Sequence, residues 1–347
     1  MHNSDKSQFY RFICDLPEQI AKAPTFLEDL PLQINPKDYD KIIINGMGGS
    51  AIAGDLLSAY LQTELKIPFL INRNYGLPSF VDKKTLVLSC SYSGDTEETI
   101  QATEFALSKK TTVVGIASGG KLKKLLKRRK KPFITIPEGY PPRQALGFLF
   151  FSMLYFLQHN GFVKPKLDEI RETIRVLENI REKNNPKITQ AHNLTNHIAQ
   201  KLYNKIPVLY TASDFLLPVL TRWRNQFNEN SKVLAFSNNF PELNHNEIMG
   251  WEAPRDLIKN FNILLLRDKS ENSRNQKRLM ITREILQHKK IPIFEIFSEG
   301  KSELARMFSL IYIGDWISYY LALLYEKDPL VIGSIQKLKE ALSKFEA

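Results

Sequence analysis

Two strand-to-helix turns rich in glycine constrain this chain more than any other feature. The first is Lys41-Ile-Ile-Ile-Asn-Gly-Met-Gly-Gly-Ser50, in which a β-branched strand runs into a glycine turn and then a helix over 51–62. Glycine lacks a Cβ and tolerates positive φ, so the backbone of this turn can approach a ligand closely. The first turn of the following helix presents unpaired N–H groups and the positive end of the helix dipole, which suit an anion such as phosphate.

The second turn follows Thr85-Leu-Val-Leu-Ser-Cys90, a run typical of a buried strand. At the point where the next helix should begin, it carries three hydroxyl groups and a glycine: Ser91, Ser93, Gly94 and Thr96. Helix N-capping explains each hydroxyl singly, and for Thr96 or Asp95 alone that explanation is favoured. Three hydroxyls with a glycine in one turn instead favour a ligand, so the two turns together predict one phosphate cradle.

Strands and helices alternate along the whole chain, which predicts parallel sheets covered on both faces. Strands are predicted at 41–45, 67–72, 85–90, 111–116 and 133–136, and again at 207–211, 233–236, 262–266 and 292–296. The predicted fold is therefore α/β, with two doubly wound parallel-sheet domains. Their predicted limits are 1–160 for an N-terminal arm and first domain, 161–205 for a helical connector, and 206–347 for a second domain ending in a docked helix over 333–345.

Length and composition limit the class of protein. The chain has 347 residues, more than one typical domain, and its 43% hydrophobic and 24% charged residues are an ordinary globular balance. The longest apolar run, near 146–157, is too short to span a bilayer, and residues 1–5 do not resemble a signal peptide. The two cysteines, Cys14 and Cys90, suit free thiols better than a disulfide scaffold, so we expect a cytoplasmic protein.

The net charge of +11 raises the question of nucleic-acid binding. The basic residues are scattered except over 121–131, where Leu122, Leu125 and Leu126 have the spacing of one buried helical stripe. We interpret that run as the solvated face of a helix. Neither a nucleic acid nor a membrane is therefore predicted as a partner.

The first turn also matches the dinucleotide-binding pattern, as Gly46-x-Gly48-x-x-Ala51. A dinucleotide site needs an acidic residue at the end of the second strand for the ribose hydroxyls, but that strand ends in Leu70-Ile-Asn-Arg73. An NADP oxidoreductase could use Arg73, which keeps this alternative open. The hydroxyl turn over 91–96 has no role in a dinucleotide site and is natural around a phosphate monoester.

At this point the motifs carry a family resemblance. Gly46-Met-Gly-Gly-Ser-Ala51, followed by Ser91-Tyr-Ser-Gly-Asp-Thr-Glu-Glu-Thr99, resembles the sugar isomerase (SIS) domain. Further motifs, similar to those of the bifunctional phosphoglucose/phosphomannose isomerases, are Pro142-Arg143-Gln-Ala-Leu-Gly147, Asn228-Glu229-Asn230-Ser-Lys232 and Asn244-His245-Asn246-Glu247. The similarity extends over nearly the whole chain, including a closing Asp328-Pro329 and the final helix. It implies two SIS domains and an aldose–ketose isomerase acting on hexose 6-phosphates.

The resemblance also assigns roles to individual residues. Isomerisation moves a proton between C2 and C1 through a cis-enediol, and a carboxylate can do this without a cofactor. By the resemblance, Glu229 is the base, Arg143 stabilises the enediolate, and His245 and Lys339 assist ring opening. The residues that would bind the 6-phosphate are Gly49, Ser50, Ser91, Ser93 and Thr96. In related isomerases the histidine reaches the neighbouring subunit's site, so the resemblance implies a homodimer with shared active sites.

Structural interpretations of the same residues stand beside these roles. Glu229 could be an ordinary helix-end glutamate that pairs with Lys232 or Arg222. Lys339 could lie on a solvated helix face, and Lys337 is close enough in sequence to leave the assignment between the two lysines open. Neither cysteine belongs to a Cys-x-x-Cys pair, and no metal site is predicted.

One departure from the family pattern affects the choice of sugar. Bifunctional members commonly carry a threonine directly after the Asp-Pro pair, where this chain has Leu330. Glucose 6-phosphate isomerisation is expected to be untouched, and mannose 6-phosphate is left open as a second substrate. The alternative from another class is a sugar-phosphate sensor that binds without catalysis. Such a sensor could lose Glu229, so the presence of Glu229 favours the isomerase.

Overall fold

The computed structural model describes residues 4–28, 30, 33–186 and 193–344; residues 187–192 of the predicted connector and residue 345 of the predicted final helix lie outside it. Within the described residues the strands are β1 (Lys41–Asn45), β2 (Phe69–Asn72), β3 (Thr85–Cys90), β4 (Thr112–Ala117), β5 (Phe133–Thr135), β6 (Ile206–Thr211), β7 (Phe236–Asn239), β8 (Phe261–Arg267) and β9 (Ile293–Phe297). The α-helices there are α1 (Tyr10–Cys14), α2 (Leu16–Lys22), α3 (Gly48–Leu61), α4 (Glu97–Ser108), α5 (Gly120–Arg128), α6 (Leu146–His159), α7 (Leu167–Asn184), α8 (Leu194–Leu202), α9 (Leu217–Gln226), α10 (Glu247–Gly250), α11 (Arg255–Ile258), α12 (Ser273–His288), α13 (Glu303–Leu324) and α14 (Gly333–Leu342).

The strands form two parallel sheets, with orders β2-β1-β3-β4-β5 and β7-β6-β8-β9. This confirms the predicted α/β fold, and the second sheet repeats the order of the first four strands of the first sheet. In each sheet the first strand lies between the second and the third, so the connections run in opposite directions from that point. Ligands of such sheets bind at this switch point, beyond the carboxyl ends of the strands. In the first sheet, both glycine turns leave the strands that flank it.

The apolar runs become strands that are buried on both faces. Ile43 of β1, Val87 of β3 and Val113 of β4 are fully buried and share one apolar cluster with Leu122 and Leu126 of α5. Helices on both faces of a parallel sheet explain why these strands read as continuous apolar runs. The interpretation of 121–131 as a helix with a buried leucine stripe is thereby confirmed.

The second sheet differs from the sequence prediction at β7, which begins at Phe236 and not at residue 233. The preceding helix, α9, continues directly into a π-helical turn over Phe227–Ser231. Lys232 then adopts a left-handed conformation (φ 60°, ψ 32°), and the N–H of Val233 donates to Phe227 O at 3.1 Å. Val233 therefore remains bonded to the helical turn, and the strand starts later.

The described residues form two compact units, each built on one sheet. The first unit comprises Asp15–Glu178 and Gly300–Met307, and the second comprises the described parts of Met1–Cys14, Asn179–Glu299 and Phe308–Ala347. The segment predicted as an N-terminal arm of the first domain is divided between them. Helix α1 belongs to the second unit, and the preceding residues are held there by the Tyr319 hydroxyl, which donates to Asp5 at 2.8 Å.

Helix α13 is long and apolar enough to cross a membrane by length and composition alone, but 94% of its most apolar stretch is buried inside the protein. Such burial is typical of a core helix. The apolar run at 146–157 is longer than any within α13, which Arg306 and Asp315 interrupt. Both of these side chains are themselves buried.

The final helix, α14, forms as predicted, but the predicted docking on the body of the protein is not found. None of its residues is buried, and Ile335, Leu338 and Leu342 of its apolar stripe are 39%, 60% and 52% exposed. The first turns of the helix border a cavity, and Ile335 forms part of its wall. The apolar stripe of α14 is therefore left uncovered within its own unit.

Glu172 of α7 provides a first testable prediction about stability. Its carboxylate accepts the backbone N–H groups of Lys301 (2.5 Å) and Ser302 (3.0 Å), just before α13. We expect Glu172→Gln to lower the free energy of unfolding by about 1 kcal/mol, because one charged acceptor at a helix start is lost. Glu178→Gln on the same helix is the matched control, since Glu178 makes no hydrogen bond or ion pair within the described residues.

The effect of Glu172 should depend on pH. Burial raises the pKa of its carboxyl, but the hydrogen bonds from Lys301 and Ser302 outweigh burial and hold the pKa below its usual value. A depressed folded-state pKa stabilises the protein above the unfolded-state pKa, near 4.3, and the stabilisation disappears as the pH falls through the folded-state pKa. Urea denaturation of both variants at neutral and acidic pH measures this. Equal stabilities of Glu172→Gln and Glu178→Gln at pH 7 would contradict the prediction.

Candidate active site

The first glycine turn closely contacts two neighbouring segments of the first unit. A Cβ on Gly46 would lie 2.8 Å from Cys90 O, and one on Gly49 would lie 2.8 Å from Pro142 O, so neither position has room for a side chain. Helix α3 starts inside this turn, and its N-cap residue, Met47, gives no side-chain cap. The first N–H groups of α3 are thus not capped by a side chain of the N-cap residue, which suits an anionic ligand.

The hydroxyls of the two turns tie the turns together. Ser50 Oγ accepts the N–H of Tyr92 at 3.2 Å, and Ser91 Oγ lies 2.9 Å from Thr96 Oγ1 and accepts the N–H of Gly94 at 3.1 Å. Ser50 and Ser91 are buried. Ser93 is exposed, and its hydroxyl accepts the N–H of Asp95 at 3.3 Å. The structure therefore brings the five predicted phosphate-binding residues, Gly49, Ser50, Ser91, Ser93 and Thr96, onto two adjoining turns.

A third turn, over 118–120 at the end of β4, was not predicted from the sequence. Ser118 Oγ donates to Tyr92 O at 2.8 Å, and the N–H of Leu122 donates to Gly94 O at 2.8 Å. A Cβ on Gly94 would lie 1.9 Å from Gly119 O. The signal was present as Ser-Gly-Gly after a strand, the same pattern as the first turn. This turn is the support on which the hydroxyl turn rests.

Arg143 lies on a short 3-10 helix beside the first glycine turn, within the same unit. A Cβ on Gly49 would lie 3.3 Å from the Cα of Arg143, and the arginine is 4% exposed. The backbone around it is fixed by Gln19, whose side chain donates to Gln144 O at 2.7 Å and accepts the N–H of Gly147 at 3.1 Å. The predicted enediolate-stabilising cation is thus held next to the predicted phosphate cradle.

Glu229 lies in the second unit, on the π-helical turn over Phe227–Ser231. It is half-buried and lines a cavity of about 560 Å³. π-Helical turns are rare and are frequent at functional sites. The polar residues of the cavity wall are Asn228, Glu229, Lys232, Ser334 and Lys337, and its apolar part is formed by Val233, Leu234, Val331, Ile332 and Ile335.

The cavity distinguishes between the two lysines of α14. Lys337 lies in the cavity wall with Glu229, whereas Lys339 is not among the described residues that line it. The two side chains leave the helix about 200° apart, because each residue of an α-helix adds a rotation of about 100° around the helix axis. Only one of them can face the cavity while the helix has this orientation. The assignment of Lys339 therefore stays a prediction, with Lys337 as the competing residue.

His245 is exposed at the end of a short 3-10 helix that follows β7. It is not among the described residues that line the cavity beside Glu229. The next glutamate of its motif, Glu247, fixes the segment. Glu247 accepts hydrogen bonds from the Tyr210 hydroxyl and from Asn238 Nδ2 (2.6 Å), and Trp251 Nε1 donates to the Tyr210 hydroxyl at 3.0 Å. Burial, with the adjacent Glu247 carboxylate, raises the pKa of Tyr210. This role of Glu247 was not predicted from the sequence.

The side chain that the dinucleotide interpretation requires is paired with another residue. Arg73, which an NADP site would need, forms an ion pair with Asp55, and burial raises the pKa of that carboxyl despite the pairing. Cys90 is buried, and burial raises the pKa of its thiol. Over the part of the chain that the structure describes, no group of three His, Cys, Asp or Glu side chains could hold a metal ion.

Matches to known domain families and to a solved structure establish the class of protein. Residues 37–136 match the SIS domain family, and residues 191–342 match the bacterial phospho-glucose isomerase C-terminal SIS domain. A solved structure of a hypothetical protein from Thermus thermophilus shares the fold, with a TM-score of 0.75 and 16% identity over 96% of this chain and 89% of that one. The protein is therefore a double SIS-domain protein.

Full-length relatives narrow the class to one family. A bifunctional phosphoglucose/phosphomannose isomerase of Caldicellulosiruptor bescii is 42% identical over 96% of this chain and 99% of its own length. A protein of the same name from Aquifex aeolicus is 35% identical over 91% of this chain and 94% of its own. The chain belongs to the bifunctional phosphoglucose/phosphomannose isomerase family, which confirms the resemblance carried by the motifs.

Proposed function

We propose that the protein interconverts glucose 6-phosphate and fructose 6-phosphate, and that mannose 6-phosphate is the second aldose. The observation that carries this proposal is Glu229, a carboxylate on a π-helical turn in the wall of a cavity of about 560 Å³. Cavities of this size suit small-molecule ligands. The family's full-length similarity supports the choice of hexose phosphates as those ligands.

The proposed reaction needs one base and one stabilising cation. Glu229 takes the proton from C2 of the open-chain aldose, and the electron pair of that bond forms the C1–C2 double bond while O1 gains a proton. The proton is then returned to C1 as O2 loses its own, which gives the ketose. Arg143 stabilises the negative charge on the two oxygens, because a guanidinium can donate to both at once.

In this scheme the other site residues bind the substrate and open its ring. The cradle of the first unit, at Gly49, Ser50, Ser91, Ser93 and Thr96, binds the 6-phosphate through hydroxyls and helix N–H groups. His245 transfers a proton at the ring oxygen or O1, and a lysine of α14 assists it. C2 is oxidised while C1 is reduced within one molecule, so the enzyme is an intramolecular oxidoreductase that requires no nucleotide.

Solvent exchange tests this path directly. Fructose 6-phosphate is incubated with the protein in D2O and followed by NMR. We expect glucose 6-phosphate with solvent deuterium at C2, because a carboxylate that carries the proton exchanges it with water. A product entirely free of solvent deuterium would contradict a proton shuttle through Glu229.

A homodimer with shared active sites is part of the proposal. It is supported by the exposed position of His245, by the uncovered apolar stripe of α14 and by the exposed side chains of Leu234 (72%) and Met249 (63%) in the same unit. Analytical ultracentrifugation of the purified protein tests it, and a monomer at micromolar concentration would contradict it. We also propose that the enzyme works in the cytoplasm, where its sugar phosphates occur.

The two lysines of α14 give the next prediction. Lys337→Ala is expected to reduce kcat for fructose 6-phosphate by about tenfold to a hundredfold, as for loss of a proton-transfer group. Lys339→Ala, a matched change two residues away, is expected to leave kcat close to the wild-type value, because Lys339 is not among the described residues that line the cavity. The reverse order would show that Lys339 is the lysine that reaches the substrate.

A further inference from the structure

The Lys232 ammonium group joins two separate segments of the second unit. Its Nζ donates to the backbone oxygens of Glu229 (2.7 Å) and Asn230 (3.2 Å), and also to those of Asp328 (3.1 Å) and Pro329 (3.1 Å). An ammonium group has three N–H bonds, so four acceptor oxygens use all of its hydrogen-bond donors. We call this arrangement the carbonyl clamp.

The clamp occupies a favourable electrostatic position. Lys232 is the C-cap residue of the π-helical turn, and carbonyl groups at a helix end carry the negative end of the helix dipole. The side chain can fold back onto that end because the backbone of Lys232 is left-handed, with φ at 60°. Lysines near helix ends often bond the last carbonyls, but here two of the four acceptors come from a distant loop.

The distant loop is itself fixed. The carboxylate of Asp328 accepts the hydroxyl of Ser7 at 2.6 Å, the N–H of Ser7 at 3.1 Å and the N–H of Leu330 at 2.9 Å. The residues that follow, from Val331 onward, form part of the cavity wall. The clamp therefore connects the turn that carries Glu229 to the loop that leads into the cavity-wall residues from Val331 onward.

The buried side of the turn is attached in a different way. Asn230 Nδ2 donates to Ser318 Oγ at 3.0 Å, and Ser231 Oγ donates to Ser318 O at 2.7 Å, both against α13. These side chains are fully buried, so the C-terminal part of the turn is fixed whether or not Lys232 is present. The peptide oxygen of Glu229 itself is held by Lys232, whose Nζ donates to it at 2.7 Å.

From this geometry we propose that Lys232 is a positioning residue for Glu229, whose tethered ammonium ion fixes the catalytic turn against the Asp328–Leu330 loop. This inference rests on the proposed function, because it needs Glu229 to be the base. A cation held by four backbone oxygens acts through its charge and size, so a free ammonium ion should replace it in part once the side chain is removed.

Lys232→Gly tests the inference, since glycine retains the left-handed backbone without strain and leaves the four oxygens empty. Lys290→Gly is the matched control, because Lys290 is also an exposed lysine of the second unit with a left-handed backbone (φ 61°), and its side chain makes no hydrogen bond or ion pair within the described residues. We expect Lys232→Gly to reduce kcat for fructose 6-phosphate by about a hundredfold with little change in KM, because a small misplacement of a catalytic group has that effect.

Ammonium chloride should then raise the kcat of Lys232→Gly and leave the kcat of the wild type unchanged. Tetramethylammonium chloride at the same ionic strength should not raise the kcat of either protein. A merely structural role would instead lower the unfolding midpoint without ammonium rescue, and that result would overturn the inference. A kcat equal to that of Lys290→Gly would also overturn it, with the proposed function intact. A wild type that does not turn over fructose 6-phosphate would overturn the proposed function and the inference together.

Discussion

Glu229→Gln is expected to lower kcat for fructose 6-phosphate by about 10² to 10⁴-fold, the range typical of losing a general base. Glutamine has nearly the same shape but cannot accept the proton from C2. The substituted side chain still fits the wall of the cavity, so the affinity for the sugar phosphate should change little. Calorimetric titration with fructose 6-phosphate measures that affinity in the inactive variant.

Glu284→Gln is the matched control, since Glu284 is an exposed glutamate on α12 of the same unit and is not in the cavity wall. It should keep wild-type kcat. If Glu229→Gln retained wild-type turnover, Glu229 could not be the base. If it lost turnover only because it no longer bound the sugar, Glu229 would be a binding residue.

The second large effect is expected from Gly94→Ala. Gly94 has φ at 76°, and a Cβ there would lie 1.9 Å from Gly119 O, a backbone atom that cannot move aside alone. We expect the variant to lose about 2 to 5 kcal/mol of stability through backbone strain and overpacking. Because the hydroxyl turn is displaced from its support, affinity for the phosphate group should fall as well.

Gly76→Ala is the control for Gly94→Ala, because Gly76 lies in the same unit and a Cβ added there would have no atom within 4 Å. Its stability should stay within about 0.5 kcal/mol of wild type, as for most surface substitutions. Thermal denaturation and binding of inorganic phosphate report the two effects separately. A Gly94→Ala variant with wild-type stability and phosphate affinity would refute the account of the cradle.

The first sheet was predictable because its signals are local. The β-branched run of β1 and the apolar run of β3 each end at a glycine turn, so both strand type and strand end can be seen in the sequence. Arg143, by contrast, is placed beside Gly49 by a long-range contact, and only the family resemblance assigned it a role.

Other features depended on contacts that no local pattern records. The π-helical turn with Glu229 is favoured by Asn230 and Ser231 bonding to Ser318, far along the chain, so the sequence predicted an earlier start of β7. The third turn was overlooked because Gly119 and Gly120 read as the start of a basic helix. The apolar stripe of α14 predicted docking, whereas the structure leaves a cavity beneath its first turns.

Turnover of fructose 6-phosphate by the purified wild-type protein, without added metal or nucleotide, tests the central claim most directly. Glucose 6-phosphate and mannose 6-phosphate are quantified separately, because Leu330 stands where the family commonly has threonine. The expected result is formation of both glucose 6-phosphate and mannose 6-phosphate. A protein that binds fructose 6-phosphate but forms neither aldose would be a sugar-phosphate sensor, and the isomerase proposal would be wrong.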